Sequence, residues 1–236
     1  SLPLEPIENA LPALYASLSD EDGMQAAYAI MTTDTRAKEI TVAFEIDGVP
    51  CKMGAIAKGS GMIHPNMGTM LAFITTDVAI SSAMLKSALG GVVADTFNMI
   101  SIDGDTSTND IACVMANGFA GNGEIAEKNA AYEDFVSVLR YVSVYLSREI
   151  ARDGEGADKL IECNVQGAIS EEDAKKIAKS VITSSLLKTA MAGADANWGR
   201  VLCAVGYSGA EFNEDDVDIA LTSKAGTIDT CKKSMG

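Results

Sequence analysis

The chain has a single histidine, His64, and a single tryptophan, Trp198, in 236 residues. So little histidine leaves few ways to build a metal centre or an imidazole base. Its five cysteines (Cys51, Cys113, Cys163, Cys203 and Cys231) are odd in number, scattered and never in C-x-x-C spacing. That pattern points to a reducing compartment with buried or inert thiols, and with His64 alone to join them no Cys/His zinc site is expected. Positive charge is also scarce. Eighteen Lys and Arg face 33 Asp and Glu, for a net charge of −15. Such a surface repels phosphate backbones and anionic lipid, so neither nucleic acid nor a membrane is an expected partner. No basic stretch followed by an apolar one opens the chain, and the run from Lys58 to Phe73 is broken by Pro65, Asn66 and glycines, which excludes a membrane span. A cytoplasmic protein is the expectation.

What is present is a globular composition, 47% hydrophobic, without internal repeats, low-complexity tracts or Pro/Ser-rich linkers. Helical spacing marks "IENALPALYASL", "DGMQAAYAIM" and "SSAMLKSALGGVVADTF". In "AAYEDFVSVLRYVSVYLSREIARDG" it places Phe135, Val138, Leu139, Val142, Leu146 and Ile150 on one stripe, ended by Gly154. "SEEDAKKIAKSVI" is a helix with Ser170 as N-cap. Alternation on both sides of Asp47-Gly48 predicts a hairpin. "TMLAFITTD" and "IACVMANG" read as buried strands, the first covered on both faces. "KLIECNVQG", "RVLCAVGYSG" and "DVDIALTS" read as further strands. Paired rather than strictly alternating strands and helices favour a layered α+β sandwich, and the chain reads as one unit over residues 1–236.

Several stretches could carry chemistry. A Gly68-Thr69 bond at the head of a buried strand suits self-cleavage, after which Thr69 would own both a hydroxyl nucleophile and an α-amine to act as its base. The plainer reading is a glycine loop feeding a β-branched strand residue. Lys58 precedes glycines rather than following them, so it is not part of a phosphate-binding loop. It is either a solvated lysine or a partner for a substrate carboxylate. His64 has no carboxylate close in sequence to orient it. "DGDTSTND" fails as a calcium loop, because the glycine and glutamate positions hold Thr108 and Val114. It reads instead as a turn whose side chains satisfy backbone N–H groups. In "RDGEG", Glu155 is either an exposed residue past a Schellman-type helix stop or a carboxylate for a substrate ammonium. "TTDT" is locally a hydroxyl-rich helix end, and Trp198 in "DANWGR" an anchor of the core.

Taken in order, "IMTTDT", "AIAKGSGMIHPNMGTMLAFITTD", "TFNMISIDGDTSTND", "ANGFAGN", "REIARDGEGADKLIE" and "ANWGRVLCAVGYSG" closely resemble the ornithine acetyltransferase (glutamate N-acetyltransferase) family of arginine biosynthesis, over residues 1 to about 218. The resemblance implies an α-β-β-α sandwich and a self-processed threonine-nucleophile enzyme, usually an α2β2 assembly of cleaved chains. It implies cleavage between Gly68 and Thr69, into 1–68 and 69–236, with Thr69 as the nucleophile. Acetyl would pass from N-acetylornithine to Thr69 and then to glutamate. Thr32, Lys58, Thr69 and Glu155 fall at positions that look like the family's substrate contacts. No cofactor is implied, although some members accept acetyl-CoA as donor. Gly68 departs from the family's usual alanine. The Thr-Gly pair that resembles the family's oxyanion hole is expected upstream of "SLPLEP", and the C-terminal substrate contacts beyond "DVDIALTSKAG", so the chain reads as truncated at both ends. The competing expectations are a related self-processing amidohydrolase or aminopeptidase, and an inactive fragment of the transferase.

Overall fold

The computed structural model of the chain describes residues 3–19, 23–64 and 70–234. Strands β1 (Lys38–Ile46) and β2 (Val49–Lys58) form the expected hairpin, with Asp47 at φ 51° and Gly48 at φ 77°. Two successive positive φ values are what a two-residue turn of matching twist requires, and Asp-Gly supplies them. Strand β3 (Leu71–Thr76) adds antiparallel to β2, and β4 (Ile111–Ala116) adds parallel to β3, giving one sheet of order β1-β2-β3-β4. The parallel step is bridged by a helical crossover, here α3 (Ser82–Asp95), capped by the Ser81 hydroxyl on the Met84 N–H.

Helices α3 and α4 (Ala130–Arg152) cover one face of the sheet. The stripe read from the sequence is the buried face of α4: Phe135, Leu139, Val142, Leu146 and Ile150 are all 0% exposed, with Val138 packed at the margin. They close on Met53, Ala57, Ala72, Ile74 and Phe97. The opposite face of the sheet differs from expectation. Ile111 and Met115 are exposed, and Leu71 and Phe73 only half-buried. A continuous apolar run is therefore covered on one side alone among the described residues, and β4 is an open edge rather than a buried strand. Periodicity reports that a face is apolar, not what lies against it.

A second core cluster lies C-terminal to α4. Helices α5 (Glu171–Thr183), α6 (Ser185–Ala192) and α7 (Trp198–Gly206) pack together, and the hairpin β5 (Ile219–Ser223) with β6 (Gly226–Cys231) adds Ile219 and Cys231. Ser170 caps α5 as expected, its hydroxyl accepting the Asp173 N–H at 3.0 Å, and Trp198 packs on the cluster. Two strand assignments fail here. "RVLCAVGYSG" is mostly helix α7, because Asn197 caps it at the Arg200 N–H and Val201, Ala204 and Val205 share one buried face at helical spacing. "KLIECNVQG" has no ladder partner among the described residues. Cys163 and Val165 alternate inward against the second cluster, so alternating burial survives without a sheet. Helices α1 (Glu5–Ala16) and α2 (Gly23–Ala29) precede β1, and α1 buries none of its residues. No described helix is long and apolar enough to cross a membrane. All five cysteines are free; Cys51 and Cys231 are buried, Cys113 and Cys163 half-buried, and Cys203 exposed.

Candidate functional site

Lys58 is the last residue of β2 and is buried, at 6% exposure. That excludes the solvated-loop reading. Its ammonium lies 3.2 Å from the Thr32 hydroxyl, and no carboxylate lies within ion-pair distance of it among the described residues. A buried cation held by one neutral hydroxyl has unspent hydrogen-bonding capacity, because an ammonium carries three donors. Thr32 itself is exposed, so the pair opens to solvent.

Glu155 reaches the same place from the C-terminal end of α4. The Glu155 N–H donates to the Ser60 carbonyl at 2.9 Å, two residues beyond Lys58. Its carboxylate packs against Gly61: a Cβ built there would meet Glu155 Oε1 at 2.5 Å and Oε2 at 2.9 Å. The helix stop beside it is not a Schellman turn. Asp153 ends α4 at φ −96°, and Gly154 is small because Ile102 would lie 2.9 Å from its Cβ. Thr32, Lys58 and Glu155 are thus brought together at one end of the sheet. Thr69 and Gly68, the proposed nucleophile and cleavage residues, lie outside the described residues, as does the rest of 65–69.

The described chain resumes at Met70, whose N–H donates to Asp110 Oδ1. Asp110 Oδ2 is buried with no hydrogen-bond partner among the described residues. Burial raises the Asp110 carboxyl above its ordinary pKa, against the Met70 N–H and the positive charge of Lys58. The "DGDTSTND" stretch does what a polar turn was expected to do. Asp103 accepts the N–H groups of Met62, Ile63 and Asp105, and Ser107 that of Asn109. His64 meets the Ser101 hydroxyl at 2.9 Å, and burial with the charges of Lys179 and Lys188 holds its pKa below the usual histidine value. It remains neutral at pH 7, and no carboxylate is bonded to it among the described residues.

The residues that order this site went unmarked in the sequence. Lys38 is completely buried, with its ammonium 2.6 Å from Asp34 Oδ1 and 2.6 Å from Asp153 Oδ2. Asp34 also accepts the Gly59 N–H at 2.8 Å and the Thr32 N–H at 3.3 Å. Asp153 accepts the N–H of Thr35 at 3.0 Å and the Thr35 hydroxyl, while its main-chain carbonyl accepts the buried Ser60 hydroxyl at 2.6 Å. Burial raises both carboxyls, but the Lys38 contact and the N–H and hydroxyl donors outweigh it, and both end below the usual carboxylate range. The Asp34–Lys38 spacing looks like any i,i+4 surface pair, and nothing local to Asp153 distinguishes it.

A cleft of about 430 Å3 adjoins the site, lined by Ile100, Ile102, Leu160, Ile182, Lys188 and Glu155 among others. Of the three candidate substrate residues that the structure describes, Thr32, Lys58 and Glu155, only Glu155 lines it. Lys188 donates to the Ser101 and Ile102 carbonyls and Lys179 to those of Asn98 and Ile100, pinning this loop from the second cluster.

Comparison with known proteins adds a lineage to this geometry. A model of the ArgJ family matches residues 1–235. An "Arginine biosynthesis bifunctional protein ArgJ" of Caldanaerobacter subterraneus subsp. tengcongensis is 52% identical over 231 residues, covering 98% of this chain and 57% of that protein. The protein of the same name from Symbiobacterium thermophilum is 53% identical over 220 residues, covering 93% of this chain and 55% of that one. A crystal structure of an ArgJ protein from Bacillus halodurans superposes with a TM-score of 0.64 at 43% identity, covering 70% of this chain and 75% of that chain. The chain therefore spans a little over half the length of these curated relatives.

Proposed function

This chain belongs to the ArgJ family, and on that premise we propose that it carries the nucleophile and much of the substrate site of an enzyme moving acetyl from N-acetylornithine to glutamate. The observation that carries the reading is the buried Lys58 ammonium, bonded to Thr32 with no carboxylate partner among the described residues, beside the Glu155 carboxylate. One cation and one anion at a solvent-open rim complement the α-carboxylate and an ammonium of an amino-acid ligand. The names of the relatives, which include arginine biosynthesis, support the same substrate class.

Self-cleavage comes first. The Thr69 hydroxyl attacks the Gly68 carbonyl carbon, the amide becomes an ester, and water hydrolyses it to leave a Gly68 carboxylate and a free Thr69 α-amine. That amine then takes the hydroxyl proton as Oγ attacks the acetyl carbonyl of N-acetylornithine. The C–N bond breaks, ornithine leaves with the proton, and acetyl-Thr69 remains. The amine of glutamate attacks this ester, acetyl passes to nitrogen, and the hydroxyl is restored. Lys58 and Thr32 bind and orient each amino acid in turn. Acetyl-CoA is an alternative donor for the same acetyl-enzyme, the cleaved chains 1–68 and 69–236 assemble as α2β2, and the enzyme works in the cytoplasm.

Intact mass after incubation with N-acetylornithine tests the course. The expected result is a piece beginning at Thr69 that gains one acetyl mass and loses it to glutamate as N-acetylglutamate. Thr69→Ala should abolish both cleavage and acetylation. A Thr69→Ala protein that still transfers acetyl, or a parent that releases acetate while glutamate is present, overturns the assignment.

A further inference from the structure

We propose that Asp34, Lys38 and Asp153 are positioning residues, a buried triad that sets Thr32, Lys58 and Glu155 as one unit; this rests on the substrate site proposed above. Each of the three segments bearing those residues is tied to the triad. Asp34 takes the N–H of Thr32 and the N–H of Gly59, the residue after Lys58, so one carboxylate spaces both members of the hydroxyl–ammonium pair. Asp153 stands two residues before Glu155, holds Thr35 through its carboxylate and accepts the Ser60 hydroxyl at its carbonyl. The Glu155 N–H closes the circuit on the Ser60 carbonyl. Lys38 joins the two carboxylates and, among the described residues, is the only group bonded to both Asp34 and Asp153.

Burial makes this arrangement demanding. Two carboxylates facing each other without Lys38 would repel, and each would lose the donor that keeps it ionised. With Lys38 in place, every carboxylate oxygen of the pair accepts at least one hydrogen bond. A satisfied ionic network of this kind holds geometry rather than adding much stability, which is the use a binding site has for it. A network made only for stability could break at any one link without moving the other segments. Here Asp34 holds the Thr32 and Gly59 N–H groups, and Asp153 holds Thr35 and the Ser60 hydroxyl beside the Glu155 N–H, so a break at either carboxylate reaches more than one substrate-bearing segment.

The test uses Asp34→Asn, which keeps the shape and removes the charge, and Thr35→Val, which removes one hydroxyl donor and leaves the core intact. Asp95→Asn is the control, since Asp95 pairs with Lys175 and Arg140 away from the site. Two readouts are needed: KM and kcat for acetyl transfer from N-acetylornithine to glutamate, and hydrogen exchange at the Thr32, Gly59 and Glu155 amides. Asp34→Asn should raise KM about tenfold or more while kcat changes less, since displacing binding groups by an ångström is costly. Thr35→Val should shift KM in the same direction by less, and Asp95→Asn should leave it unchanged. Exchange at all three amides should rise together in Asp34→Asn. A cooperatively folding Asp34→Asn protein with the parent KM, or faster exchange confined to one of the three amides, overturns the proposal. A parent that transfers no acetyl removes the function proposed above, and the exchange readout then decides the coupling alone.

Discussion

The two core clusters hold their helices in different ways. Around α4, nine Ile, Leu, Met and Phe side chains from Ile46 to Ile150 reach 0% exposure, and the sheet beneath them is continuous from β1 to β4. Around α5, α6 and α7, only Ala204 does among the described residues, and Val201 and Ile219 keep 9% and 8% exposure. The contact between them has a strong polar component, with Lys179 and Lys188 on loop carbonyls, Lys175 on Asp95, and half-buried Ile100 and Ile102 between. The difference teaches where precision is needed. Thr32, Lys58 and Glu155 all hang from the first cluster, at strand and helix ends whose backbones are locked, and the second cluster braces the loop that flanks them.

Truncating the two cores should separate them most. Leu146→Ala should lower global stability by about 3–5 kcal/mol, and Leu187→Ala by nearer about 2 kcal/mol, because a looser site collapses more readily around a lost side chain. Urea unfolding with hydrogen exchange checks this. Faster exchange in α4 on Leu187→Ala, as large as in α5 and α7, would erase the distinction between the clusters.

Acid should affect the first cluster next. Asp34 and Asp153 have folded pKa values below their unfolded ones, so the stability they contribute is present above the ordinary carboxylate value of about 3.9 and is lost as pH falls through the lower folded values. Asp110, shifted upward, acts in the opposite sense, so its ionised form costs stability at neutral pH. The urea midpoint of the parent should therefore fall as pH drops below about 4, and fall less in Asp153→Asn.

The smallest effect is expected at the seam. Burial, with the charge of Lys188 added, pushes Lys179 down to about 8. A cation whose folded pKa is depressed costs stability below that value, and the cost is relieved as pH rises through it toward the ordinary 10.5. A neutral amine still has two N–H groups for the Asn98 and Ile100 carbonyls. Lys188 is depressed as well, while the Asp103 charge opposes that shift. Trp198, the only tryptophan, packs on the second cluster and reports its unfolding by fluorescence. Its denaturant midpoint should rise from about pH 7 to about pH 9.5, and the rise should shrink in Lys179→Met. A midpoint that falls over that interval would mean that the lysines hold the seam by charge.

Much of this molecule was legible before its structure. The α4 stripe, the Asp47-Gly48 hairpin and the Ser170 cap are local signals, written in spacing of two, three or four residues, and each appears where expected. "RVLCAVGYSG" misled because valine content suggests a strand, while the Asn197 cap and the spacing of Val201, Ala204 and Val205 make it a helix. "KLIECNVQG" misled because alternation records which side chains turn inward, not whether a neighbouring backbone is there to pair. The candidate substrate residues were reached through resemblance, since Thr32, Lys58 and Glu155 have ordinary local surroundings.

By itself the sequence determined the elements whose cause is local: amphipathic stripe, turn dipeptide, N-cap, and an acidic surface. Only the tertiary structure decided that Lys58 is buried, that Lys38 bridges Asp34 to a residue 115 positions away, and that Glu155 packs on Gly61. The physical reason is that these are desolvated charges. Their cost and their value depend on which partners the fold brings within about 3 Å, and sequence distance carries no information about that.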